Sequence, residues 1–167
     1  NGNGEAHMIY QIGDVIVHWA HGVGKIVAIE AKEIAGSVRE YYVVEIKQLK
    51  VWVPVAHDSV DSIHFPIGSV DFCTLLDILK TPGDGLPDDQ YKRRLELSLR
   101  MKQQTLEDVC RVIRDLTDLS RQHTLNMHDS SVLFRAEEHL LDEWEISMGV
   151  ERDNAKHSMR TLLQQEP

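Results

Sequence analysis

The chain has 167 residues, 42% hydrophobic and 27% charged, with a formal charge of −9. That balance excludes a protein that grips nucleic acid over its whole surface, because phosphate binding needs an excess of Lys and Arg. No apolar run approaches the roughly 20 residues that span a bilayer, so no membrane partner is expected and the protein reads as cytoplasmic.

In chain order, residues 1–7 are polar and lack the apolar core of a signal peptide. They read as a vector-derived leader, with Met8 as the natural start. Residues 9–66 then carry strand signals. Asp14-Val-Ile-Val-His18 is short and β-branched, and Gly22-Val-Gly24 supplies two turn-competent glycines. Residues 25–34 run to Ala35-Gly36-Ser37, a hairpin signal, followed by 38–47 with Tyr41-Tyr42-Val43-Val44. Lys50-Val-Trp-Val-Pro-Val55 comes next, and 61–66 suits a fifth, short strand. Short strands at regular spacing with no helical stretch between them predict a small β-barrel or strongly bent sheet. Pro54 cannot donate to a ladder, which puts its strand at an edge or at the point where it leaves the sheet.

After Gly68 the period becomes helical. Ser69 can cap a helix with Phe72, Leu75, Leu76 and Leu79 on one face, stopped by Pro82-Gly83. A second helix is expected over about 88–102, with Asp88 and Asp89 at its N-terminal dipole. Thr105 caps a third, with Asp108 completing an imperfect capping box and Leu106, Val109, Cys110, Ile113 and Leu116 as its stripe. Asp129 or Ser130 opens a long helix that Gly149 closes, and Ala155, Met159, Leu162 and Leu163 mark a last, short one. The fold class is therefore α+β in two domains: a β-module over 8–66 and a bundle of about five helices over 67–167.

Cys73 and Cys110, each inside an apolar helical pattern, read as buried, reduced thiols. His18 and His21 have H-x-x-H spacing, but no third ligand with local spacing supports a metal. No phosphate-binding loop, dinucleotide fingerprint or nucleophile elbow occurs. Neither catalysis, nor a cofactor, nor a small-molecule substrate is expected. Charge is uneven: residues 92–121 hold eight basic against five acidic residues, whereas 129–153 hold two against eight.

Several of these features, taken in order, resemble the bacterial CarD/CdnL family of transcription regulators. They are Gly13-Asp14 in the opening strand, His21-Gly22-Val-Gly24, Tyr41-Tyr42-Val43-Val44 and Val51-Trp-Val-Pro54. Leu86-Pro87-Asp-Asp89 before a basic helix, and Val112-Ile113-Arg114-Asp115-Leu116, continue the series. The resemblance implies a Tudor-like module that binds the RNA polymerase β subunit, partly by pairing a strand edge with the polymerase sheet. Lys32, Trp52 and Pro54 are then the candidate polymerase contacts. Trp52 alternates with Val51 and Val53, so it is exposed if the valines fill the core, or it packs beneath the helical domain. Trp19 either caps the barrel end or joins the partner surface.

The same resemblance implies a helical domain at the upstream edge of the promoter bubble, where relatives wedge a tryptophan into the minor groove. Here Gln90 holds that position, and glutamine cannot wedge an apolar ring between base steps. Tyr91 either substitutes, if the helix start slips by a residue, or faces the core in register with Leu95 and Leu99. Gln90, Tyr91, Lys92, Arg93, Arg94 and Arg100 are the candidate promoter DNA contacts, with Arg93 and Arg100 on one helical face. Arg114-Asp115 reads instead as a structural ion pair. The alternative function is a protein-interaction adaptor that never touches DNA. A reader of modified peptides would need an aromatic cage, and Tyr41 and Tyr42 point to opposite faces.

Overall fold

The computed structural model describes residues 9–56 and 62–164. The leader, the start at Met8 and the Asp61 end of the fifth strand lie outside the described residues. The chain divides into two compact units, Asn1–Pro66 and Ile67–Pro167.

The first unit is one antiparallel sheet of β1 (Val15–His18), β2 (Gly22–Ile34), β3 (Ser37–Ile46), β4 (Leu49–Pro54) and β5 (Ile63–His64). Its order is β4-β3-β2-β1-β5, so β4 and β5 are edges that do not pair with each other. The expected barrel is thus not closed: the five strands form an open sheet. Ala35 and Gly36, between the paired Ile34 and Ser37, both have positive φ (51° and 77°). That is the two-residue turn whose twist suits a hairpin, and it joins β2 to β3. Gly24 is required for a different reason. A Cβ there would lie 2.4 Å from Ile46 Cγ1 and 2.8 Å from the Glu45 carbonyl oxygen.

Alternation sorts the side chains. Ile16, Ile26, Tyr42, Val44, Ile46, Val53 and Val55 fill one face, with Val51 packed against them. Tyr10 closes this core: its hydroxyl donates to the Ile63 carbonyl (3.0 Å), and its ring meets Tyr42 edge-on at 5.5 Å. The other face carries Tyr41, Val43 and Trp52.

The helical unit comprises α1 (Ser69–Leu76), a 3-10 turn (Asp77–Lys80), α2 (Gln90–Lys102), α3 (Leu106–Gln122), α4 (Met127–Met148) and α5 (Arg152–Gln164). α3 is its axis, burying Leu106, Val109, Cys110, Val112, Ile113 and Leu116 and packing on α1, α2 and α4. Thr105 caps α3 by accepting from the Asp108 N–H (3.2 Å), and Gly149 ends α4 with φ 62°. The start of α4 differs from expectation. Asn126 is the cap, accepting from the Asp129 N–H at 2.8 Å, and the helix begins at Met127. The apolar stripe marks where a helix packs, whereas the first turn here exposes its one apolar residue, Met127, and buries a charged one, Asp129, so the pattern set in late. Cys73 is exposed rather than buried, because Phe72 and Leu76 take the inward face of α1. Cys110 is buried, and burial pushes its thiol up to about 12, which leaves it protonated and unreactive. Among the described residues, no helix is long and apolar enough to cross a membrane.

Candidate functional site

On the sheet, the side chains of interest follow from register. β4 pairs only with β3, through Tyr41↔Pro54, Tyr42↔Val53, Val43↔Trp52 and Val44↔Val51. The Val55 N–H donates to the Glu40 carbonyl at 3.0 Å, so that opposed pair is a hydrogen-bonded one. Antiparallel pairs alternate. Val53, Val51 and Leu49 therefore spend their backbone groups on β3, while Lys50, Trp52 and Pro54 turn theirs outward. The edge offers two outward N–H groups, from Lys50 and Trp52, and stops at Pro54, which has none. A proline fits this register because its missing donor is one the sheet does not use.

Trp52 is 39% exposed on the face opposite the core, as its alternation with the valines requires. Its orientation is fixed by two residues of β2. The indole Nε1 donates to Glu30 Oε2 at 2.9 Å, and Lys32 Nζ sits 3.8 Å from the ring centroid. This cation–π contact holds Lys32 at the rim of the aromatic surface. It also covers part of the ring, which counts against a cage for a modified peptide. Lys32, Trp52 and Pro54 thus fall on one face, with Lys32 and Trp52 in direct contact.

At the other end of the sheet, the Trp19 ring stacks on His64 at 4.7 Å, and the Trp19 backbone N–H donates to the Ser62 carbonyl at 3.0 Å. His18 is buried beside His21, with ring centroids 4.8 Å apart. Burial, helped by the neighbouring His21, lowers its pKa to about 4. Its Nδ1 accepts from the Ala20 N–H at 3.0 Å, so the neutral ring serves as a turn-fixing acceptor.

The basic residues of α2 separate into two groups. Arg93 is only 8% exposed: its Nε donates to Asp129 (2.8 Å), and one NH group donates to the carbonyls of Pro87 (2.7 Å) and Asp88 (3.1 Å). It ties α2 and the preceding loop to the start of α4. Arg100 donates to Asp115 at 2.6 Å and pairs with Glu96. Burial works against its cation, but Asp115 and Glu96 outweigh that and raise its pKa. Asp115 in turn accepts from Arg114 (2.9 Å), whose other nitrogens reach Thr81 (2.7 Å) and Asp84 (2.6 Å). This network holds the loop ahead of α2, and Arg114-Asp115 is a structural ion pair. The shared face of Arg93 and Arg100 is therefore turned to protein acids, not to solvent, and both leave the set of candidate DNA contacts.

Gln90, Tyr91, Lys92 and Arg94 remain exposed on the first turns of α2, where Asp89 caps the helix by accepting from the Lys92 N–H (2.8 Å). The core alternative for Tyr91 is overturned: Tyr91 is 78% exposed, Leu95 54% and Leu99 53%. Only Arg93 and Leu97 are buried along α2. The Glu96 partner of Arg100 is local and legible, but sequence reasoning missed the rest of this division because Asp129 and Asp115, which hold Arg93 and Arg100, are 36 and 15 residues away. It also missed Glu30, whose link to Trp52 crosses an intervening strand.

Comparison with known proteins agrees with this architecture. Residues 10–64 match the model of the CarD-like/TRCF RID domain, and residues 74–160 match that of the CarD C-terminal domain. A Bacillus subtilis (strain 168) protein named "Putative transcription factor YdeB" is 29% identical over 153 residues, covering 89% of this chain and 98% of the relative. The chain belongs to the CarD-like transcription factor family, with an RNA polymerase-interacting domain ahead of a CarD C-terminal domain.

Proposed function

We propose that this protein binds the RNA polymerase β subunit through the β4 edge and the outer face beside it, and acts at promoter open complexes through its helical unit. The observation that carries the reading is the open edge itself. Two outward N–H groups, at Lys50 and Trp52, stand beside an exposed indole set by Glu30 and Lys32. An incoming strand gains affinity from those backbone groups, while Trp52 and Lys32 choose its side chains. Exposed aromatic anchors of this kind dominate interface energetics. Polymerase and promoter DNA are then the partners, in the cytoplasm, and no catalytic step is assigned.

The promoter contact falls to Gln90, Tyr91, Lys92 and Arg94. A second reading, an adaptor that binds polymerase without touching DNA, draws support from Gln90 at the wedge position and from the formal charge of −9. A pull-down with an isolated β lobe tests the anchor. Trp52→Ala and Lys32→Glu are expected to lose binding, with Trp52→Ala costing about 2 kcal/mol or more. Retention of full affinity by both variants rejects the assigned face. A salt titration of promoter DNA binding separates the two readings, because an adaptor shows no affinity even at low ionic strength.

A further inference from the structure

Two adjoining clefts, each about 300 Å³, lie along the contact between α2 and α4 and share His128. The first is bounded by Gln90, Tyr91, Arg94 and Asn126, and the second by Ser98, Lys102, Val132 and Arg135. Along α2 this groove runs from Gln90 to Lys102, about 18 Å at the helical rise.

Its charge is unlike that of the protein around it. Arg93, Arg100, Arg111, Arg114, Arg121 and Arg152 are each paired with carboxylates of the helical unit. Among the described residues, Arg94, Lys102 and Arg135 in the groove, and Lys92 beside it, have no such partner; the other cations of the unit without an ion pair, Lys156 and Arg160, lie on α5 and line neither cleft. Among the described residues the one acid lining the clefts, Asp129, is buried and neutralised by Arg93 at 2.8 Å. Asp88 and Asp89 stand only at the entrance, where Asp89 is held as the helix cap. From Tyr91 at the first cleft an apolar row continues through Leu95 and Leu99, at the i, i+4, i+8 spacing of one helical face and all more than half exposed.

An apolar stripe alone fits another protein. Unpaired cations at intervals beside an exposed aromatic ring fit a polyanion with flat, stackable faces. Each cleft has the size of a small-ligand site, which suits a single base and its phosphate. We propose that the α2–α4 groove binds an unpaired DNA strand, with Arg94, Lys102 and Arg135 on successive phosphates and Tyr91 stacking on a base. This deepens the reading of the helical unit as the half that meets promoter DNA, and it replaces a wedge into duplex with capture of a strand already freed.

The test is fluorescence anisotropy of the full chain at low salt, on a labelled single strand of about 16 nucleotides and on the same sequence as a duplex. The single strand is expected to bind at least about tenfold tighter than the duplex, and its affinity to fall steeply with added salt. Arg135→Glu and Lys102→Glu should each weaken it about tenfold through lost phosphate contact and added repulsion. Tyr91→Ala should do so by a similar factor, with Tyr91→Trp restoring it. Arg39→Glu, the same charge change on the sheet, should leave it unaltered. Unchanged thermal unfolding of the groove variants shows that each is folded. Duplex binding as tight as single-strand binding, no binding of either, or indifference to Arg135→Glu overturns the proposal. Failure here is distinguishable from failure of the polymerase reading, because Trp52→Ala should abolish β-lobe binding and leave single-strand binding intact.

Discussion

The two halves of this chain dispose of their charges in opposite ways. In the sheet unit, Glu30 and Lys32 stay at the surface and act on Trp52, and among the described residues His18 is the one buried polar or charged residue. In the helical unit Arg93, Arg114, Asp115, Asp129 and Glu143 are all buried. A sheet with a dedicated apolar face can leave its ions outside. A bundle with long loops uses ions to fasten segments that the apolar stripes do not reach, such as the loop ahead of α2. A basic residue on the sheet is thus a candidate for recognition, whereas one on the bundle must first be shown to have no internal acid.

The sharpest way to break that contrast is to remove one partner of a buried pair. Arg93→Ala strands Asp129 and should cost about 3–5 kcal/mol, while Lys92→Ala one position away should cost less than about 0.5 kcal/mol. Urea titration reads both, and equal losses would mean that Arg93 is no fastener. In the sheet unit the corresponding weak point is close packing rather than an ion pair. Gly24→Ala sets a methyl 2.4 Å from Ile46 Cγ1, and overpacking of that kind should cost about 1–3 kcal/mol. Asn126→Ala removes the cap of α4 and should cost about 1 kcal/mol by thermal unfolding. A further effect depends on pH. Burial, with His21 beside it, lowers the folded-state pKa of His18 from the ordinary 6.5 to about 4, so the unfolded chain takes the proton first. Its contribution is whole above pH 6.5 and fades as pH falls toward 4. His18→Gln should flatten that limb of the stability profile, and an unaltered limb would assign it to other groups.

Much of the sheet was legible because its signals are local. The Ala35-Gly36 turn, the alternation that exposes Trp52 and the edge placement of Pro54 each depend on a few adjacent residues. Closure of the barrel was not, since it depends on whether β4 and β5 meet, and no short pattern encodes that. On the bundle the apolar stripes located α1, α3, α4 and α5, and Thr105 and Gly149 located two ends. The face of α2 was misread for a physical reason. Leu95 and Leu99 look like a core stripe, but Leu97 and Arg93 take the inward side, with Asp129 supplying the counter-charge from a distant helix. A helix whose buried face includes an arginine hides its phase from any hydrophobic count.

The most direct test of the central claim is amide exchange along β4, free and with the polymerase β lobe added. In the free protein the Val51 and Val53 amides, bonded to β3, should exchange slowly, and those of Lys50 and Trp52, which face outward, should exchange fast. On binding, Lys50 and Trp52 should become protected, because an added strand takes their hydrogens. A complex that forms while both amides keep exchanging as fast as before would contradict the edge-pairing account.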